Sequence, residues 1–296
     1  MPRRDGRVKR IGGGAAVPEA LLAHEPTIRL GAFVGVLALM ASWEVLAPRR
    51  RQAVGRGTRW PGNLGIIVLD SLFVRLIFPT AAVGVALLAE ARGWGLLHVL
   101  EVPTWLAFLA GVILLDLAIY LQHVLFHAVP VLWRLHRVHH ADLEVDVTTG
   151  VRFHPIEMLL SMGIKLGVVA ALGMPAAAVL AFEVLLNATS MFNHGNVRLP
   201  GRIESMLRRI VVTPDMHRVH HSVVPSETNS NFGFNLSWWD RLFGTYRSEP
   251  AAAHDRMTIG LDQFRDPREL RLDRMLIQPF RGNDGLYPLG RREPAE

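Results

Sequence analysis

The stretch WLAFLAGVILLDLAIYLQHVLFH, residues 105–127, decides how the rest of the chain is read. Its first seventeen residues carry a single charge, Asp116, and are long enough to cross much of a hydrocarbon core of about 30 Å. Its end carries histidines, and Asp116, Tyr120, His123 and His127 are spaced by 4, 3 and 4 residues, which places them on one helical face. Working outward, further apolar stretches cover about residues 30–47, 64–89 and 158–191. The second is interrupted by Asp70, Arg75 and Pro79, so it reads as a tilted or kinked span. The last is too long for one span and contains LGMP at residues 172–175, a turn signal, so it reads as a hairpin of two helices. The expected fold is an all-α integral membrane protein with about four transmembrane helices or hairpins and a histidine-rich cap on the cytosolic side. Residues 1–26 read as a disordered basic tail without the form of a cleavable signal peptide. Residues 27–250 read as the membrane-embedded catalytic domain, and residues 251–296 as a polar, loop-rich C-terminal tail.

Composition agrees with this class. Half of the 296 residues are hydrophobic, and the mean hydropathy is +0.24. The net charge of +6 sits largely in short arginine runs such as Arg49-Arg50-Arg51 and Arg208-Arg209. Beside apolar segments such runs mark the flanks of spans and contact with anionic lipid; no nucleic-acid recognition module accompanies them. Basic residues flank the first span on both sides, five within residues 3–10 and five within residues 49–59, so charge does not orient that span. The loop at 90–103 carries only Arg92 as a basic residue, which points to the external face and puts the histidine-rich segments in the cytoplasm, most simply at the cell inner membrane. The absence of cysteine excludes disulfides, cysteine-ligated iron–sulfur clusters and thiolate haem. The glycines at 12–14 do not stand between a strand and a helix, so they form no cofactor loop.

Eight of the thirteen histidines fall in three words: HVLFH (His123, His127), HRVHH (His136, His139, His140) and a second HRVHH (His217, His220, His221). On a helix each word turns its imidazoles to one side. Clustered imidazoles repel when protonated and are costly to bury, and a metal ion relieves both penalties. Eight ligands exceed the needs of one ion and suit two, with positions left for oxygen. Softness and geometry allow iron, zinc or copper. His154 in RFHPIE and His194 in FNHGN flank the hairpin, so both return to the same face and join the expected metal set. Asp116, Glu157, Asp215 and Asp240 are candidates for holding the second nitrogen of a ligating imidazole. His24, His98 and His254 lie outside the words and receive no role.

HVLFH, the two HRVHH words, RFHPIE, FNHGNVRLP and NSNFGFNLSWWDRLFGTY together resemble the fatty acid hydroxylase superfamily, also called the sterol desaturase family, over about residues 30–280. The resemblance implies an integral membrane di-iron oxygenase with two Fe ions, using O2 to hydroxylate or desaturate a fatty acyl, sterol or isoprenoid lipid. It implies metal ligation by His123, His127, His136, His139, His140, His217, His220 and His221, with His194 and His154 where additional histidines occur. The chain lacks an HPGG-type haem motif, so the expected electron donor is a separate protein of reductase, ferredoxin or cytochrome b5 type. The competing readings are a zinc-dependent membrane hydrolase, which needs fewer ligands and a carboxylate base, and a metal transporter, whose ligands would lie along the spans. The oligomeric state is not readable.

Overall fold

The computed structural model describes residues 24–289. The expected N-terminal tail therefore lies outside the described residues except for 24–26, which open the first helix. No strand forms among the described residues; three isolated β-bridges are the nearest approach to one. Five helical segments are long and apolar enough to cross a membrane: Glu25–Leu46, Arg56–Val99, Thr104–Ala128, Pro155–Leu172 and Ala176–Asn193. The expected hairpin accounts for the last two.

Helix α1 (Glu25–Leu46) carries Pro26 in its first turn, where the missing N–H costs nothing. Glu44, the lone charge of the first apolar stretch, is buried near its end and accepts the backbone N–H groups of Val147 and Asn196. That ties α1 to the cap. Helix α2 (Arg56–Ile77) stops before Pro79, and α3 (Ala81–Arg92) follows, so the second apolar stretch is two helices broken at its proline. Helix α4 (Thr104–Ala128) has 25 residues, or about 37 Å. It exceeds the hydrocarbon thickness, and its last turns lift His123 and His127 out of the apolar layer. Helix α5 (Pro130–His140) starts on a proline suited to its first turn and holds the first HRVHH word.

Helices α6 (Pro155–Leu172) and α7 (Ala176–Asn193) form the hairpin. Gly173 joins them at φ +67°, a left-handed conformation that an L side chain rarely adopts. A Cβ there would also collide with the carbonyl of Trp94. Between the hairpin and helices α3 and α4 lies the main apolar core, built from Ala82, Ala86, Leu115, Ile119, Val169, Val179 and Phe182. The outer faces expose Leu30, Leu39, Leu72, Leu76, Leu109 and Ile113. In water such a surface would be costly; against acyl chains it is the expected one.

Beyond residue 193 the chain makes only short helices: α8 (Gly201–Leu207), α9 (Pro214–His220), α10 (Trp238–Leu242) and α11 (Leu272–Ile277). Residues 251–289, expected as a polar tail, are mostly irregular but packed into the cap. Leu261 and Tyr287 bury Trp133, and Met275 packs on Ile66 and Val138. The Arg137 guanidinium donates to the carbonyls of Gln278, Arg281 and Asn283.

Candidate metal centre

Four elements converge above the hairpin. Helix α4 brings His123 and His127, α5 brings His136, His139 and His140, α9 and its C-cap bring His217, His220 and His221, and the C-cap of α7 brings His194. They fall into two groups. His123, His127, His136, His140 and His220 form one; His139, His194, His217 and His221 form the other. Within each group the ligand atoms lie within 4.8 Å of one another, and every member is buried. The groups adjoin, with the rings of His140 and His221 stacked at 4.7 Å.

The two HRVHH words contribute in mirror fashion. The first gives its i, i+4 pair, His136 and His140, to the five-histidine group and His139 to the other. The second gives its i, i+4 pair, His217 and His221, to the four-histidine group and His220 to the other. Each word thus serves both groups, rather than turning all three imidazoles to one side as the spacing suggests.

Hydrogen bonds settle which nitrogen faces inward. His139 Nδ1 donates to the Arg152 carbonyl at 3.2 Å and His194 Nδ1 to the Ser190 carbonyl at 2.7 Å. A carbonyl can only accept, so each Nδ1 carries the proton and each Nε2 carries a lone pair. These two Nε2 atoms face each other at 3.1 Å. The other group repeats the arrangement: His123 Nδ1 donates to the Phe232 carbonyl at 2.7 Å, His136 Nδ1 donates to Glu157 Oε1 at 2.6 Å, and their Nε2 atoms are 3.0 Å apart. His220 Nε2 and both nitrogens of His221 are buried without any partner. Two lone pairs at such a distance repel, and an unpartnered buried nitrogen is costly. A cation within each group removes both problems, so the donor set fits two metal ions. Protonation is a poor substitute. Burial, reinforced by neighbouring imidazoles, holds His139, His140, His217, His220 and His221 well below the usual histidine range, and burial pushes His136 down to about 3.

One segment, residues 229–234, orients three of the five histidines. Besides the Phe232 carbonyl on His123, the Ser230 carbonyl accepts His220 Nδ1 at 2.7 Å and Asn229 Oδ1 accepts His127 Nδ1 at 3.1 Å. The strap is itself pinned. Asp240 accepts the N–H groups of Phe232 and Gly233 at 2.7 and 2.9 Å. Asn231 sits at φ +52°, held by bonds to the backbone of Met216 and Arg247. A Cβ on Gly233 would meet Asp240 Oδ2 at 2.8 Å. Asp116 accepts Leu236 N–H and Trp239 Nε1–H, so it braces the strap instead of meeting a histidine. Replacing Asp240 with Ala strands two buried N–H groups and frees the strap. The expected result is a roughly 10- to 100-fold loss of metal affinity, concentrated in the five-histidine group and read by metal titration of the full chain.

Besides Asp116 and Asp240, which hold the strap rather than an imidazole, two sequence expectations need correction. His154 enters neither group: its Nδ1 accepts Ile156 N–H and its Nε2 donates to the Leu276 carbonyl, so it caps α6 and anchors the C-terminal segment. Asp215 contacts no histidine of either group; it pairs with Arg49 and Arg218. Sequence reasoning missed the charged layer beneath α5. Arg59, fully buried at the start of α2, donates to Asp142 at 2.7 and 2.8 Å, to Asp146 at 2.5 Å and to the Glu144 carbonyl at 2.9 Å. Burial alone would raise the Asp142 carboxyl, but Arg59 outweighs it and holds that group well below the usual range. Arg152 donates to the Val138 carbonyl and to Asn63, and its own carbonyl receives His139. The only signal in the sequence is an arginine opening an apolar span and three alternate acids, at 142, 144 and 146, just after a histidine word.

Residues 108–245 match the fatty acid hydroxylase family model. The chain is 33% identical over 140 residues to ornithine lipid hydroxylase OlsE of Rhizobium tropici, covering 47% of this chain and 41% of that protein. It is 31% identical over 176 residues to alkylglycerol monooxygenase of Danio rerio, covering 57% and 36%. Human cholesterol 25-hydroxylase is 29% identical over 187 residues, covering 61% and 65%. The chain thus spans about two fifths of the length of the first two proteins. No solved structure matches it.

Proposed function

We propose that this chain, whose residues 108–245 match the fatty acid hydroxylase family model, is a membrane lipid hydroxylase that uses O2 and two histidine-held iron ions. The carrying observation is the pair of buried all-imidazole groups whose Nε2 lone pairs converge with no donor between them. His123, His127, His136, His140 and His220 would hold one ion, and His139, His194, His217 and His221 the other. When bound, iron would supply O2 activation and oxidation of an unactivated C–H bond. The chain's own residues do the rest. Backbone carbonyls, Glu157 and Asn229 fix the Nδ1 protons of His123, His127, His136, His139, His194 and His220, which keeps those imidazoles neutral and aimed. The buried site excludes water, and the apolar helices α4, α6 and α7 deliver it to the membrane layer.

A zinc hydrolase would place a carboxylate base among the ligand atoms, whereas both groups are made of imidazole alone. A transporter would spread its ligands along the spans, whereas these cluster at span ends. The names of the relatives, hydroxylases and monooxygenases, favour an alcohol product over an alkene, and the compounds they name, an ornithine lipid, an alkylglycerol and cholesterol, favour a lipid substrate. The electron donor would be a separate protein. The cap would face the cytoplasm of the inner membrane, because the opposite loop carries only Arg92.

Comparison of lipids from a host with the chain, without it, and with His139→Ala tests this reading. Under 18O2 the first host is expected to gain a lipid species carrying one labelled oxygen, absent from the other two. A new species that persists with His139→Ala, or that forms without O2, would contradict it.

A further inference from the structure

Away from the histidines, one surface of the cap is at once apolar and basic. Helix α8 and the residues after it expose Ile203, Met206 and Ile210, and α10 and its end expose Trp238, Leu242 and Phe243. These are one surface. Val211 and Leu236 form a β-bridge, and Ser237 Oγ and Trp238 Nε1 donate to the carbonyls of Arg208 and Arg209. The apolar side chains are therefore held outward by fixed backbone. Arg202, Arg209 and Arg241 lie exposed on the same segments, and none forms an ion pair among the described residues. Glu204, the acid of α8, is buried and turned to Arg208 and Thr213.

The depth of this face is set by helix α4. Trp239 Nε1 donates to Asp116 at 2.8 Å, and the Phe243 ring stacks on Tyr120 at 5.4 Å. Asp116 and Tyr120 lie twelve and eight residues before the end of α4, or about 18 and 12 Å along its axis. Helix α10 therefore lies alongside the second half of a span, reaching from its midpoint at Asp116 towards its histidine-bearing end, where hydrocarbon gives way to head groups. Exposed Trp, Leu and Phe beside arginines that lack an acidic partner, Arg241 resting on the Tyr246 ring and the Arg208 carbonyl, suit that level, and a water-filled space does not explain them.

We propose that α8 and α10 rest in the head-group layer of an anionic leaflet, with their apolar side chains among the acyl chains and Arg202, Arg209 and Arg241 on lipid phosphates. The inference is independent of the metal and of the reaction. It separates a lipid-bound face from a docking face for a partner protein.

The chain has no cysteine, so Met206→Cys and Leu242→Cys each create a single labelling site. The full chain, labelled with an environment-sensitive fluorophore, is reconstituted in phosphatidylcholine vesicles with or without about 30% phosphatidylglycerol. Brominated acyl chains are expected to quench labels at 206 and 242 while aqueous iodide does not; a label at exposed Ser226→Cys should show the reverse. Quenching by brominated lipid should rise with phosphatidylglycerol. Adding Arg202→Glu, Arg209→Glu and Arg241→Glu should lower it at 206 by about twofold or more and remove that rise. Iodide quenching at 206 and 242 equal to that at 226 would overturn the proposal, as would protection from both quenchers that appears only when a membrane protein extract is added. Quenching that ignores both phosphatidylglycerol and the arginines would overturn the anionic part.

Discussion

Replacing Arg59 with Met is expected to destabilise the folded chain by about 3–5 kcal/mol. The guanidinium is fully buried and meets Asp142 through Nε and Nη2, Asp146 through Nη1 and the Glu144 carbonyl through Nη2. Methionine fills much of the volume but leaves two buried carboxylates without their cation. Desolvated and unpaired, they cost far more than the ion pair itself contributes. Arg59→Lys should not restore stability, because a single ammonium cannot match the forked geometry. Thermal unfolding in detergent reads the effect: a fall in midpoint of about 10 °C is expected for a loss of this size. A fall under about 2 °C would show that water or rearrangement compensates the acids.

The second large effect concerns catalysis. His139→Ala is expected to lower product formation by more than about 100-fold while leaving the fold intact, as judged by an unfolding midpoint near that of the parent. His139 is the member of the first HRVHH word that joins His194, His217 and His221. Its loss leaves that group with three imidazoles, and the strap-held group is untouched. Loss of activity with retention of one metal per chain is therefore the specific signature. Glu157→Gln should fall between this variant and the parent. It keeps a hydrogen-bond acceptor for His136 Nδ1 at 2.6 Å but replaces the ionisable carboxyl with an amide, a change expected to cost about 10-fold in metal affinity.

Much of the architecture is legible in the sequence because its causes are local. Apolar length marks the spans, LGMP marks the hairpin turn, and i, i+3, i+4 histidines mark helical ligands. Proline reads correctly at Pro79, where the second apolar stretch breaks. What the sequence cannot show is how elements distant along the chain meet. The division into five and four histidines depends on the angle at which α5 and α9 approach each other, which no local pattern encodes. His154 looked like a ligand because it stands at the mouth of the hairpin, yet the C-terminal segment offers it the Leu276 carbonyl. That segment looked polar and loose because its apolar residues are scattered; they become a packing surface only once α5 is beside them. Arg59 was invisible for the same reason. Its acids lie more than eighty residues away, and only the folded chain brings them together.

The central claim is that two metal ions occupy two separate all-imidazole sites. Metal analysis of the full chain in nanodiscs, joined to Mössbauer spectra of 57Fe-loaded protein, tests it most directly. About two irons per chain are expected, in two nitrogen-ligated environments, with His194→Ala losing one of the two and leaving the five-histidine site filled. One metal per chain, or zinc with product formation that needs no O2, would contradict the account.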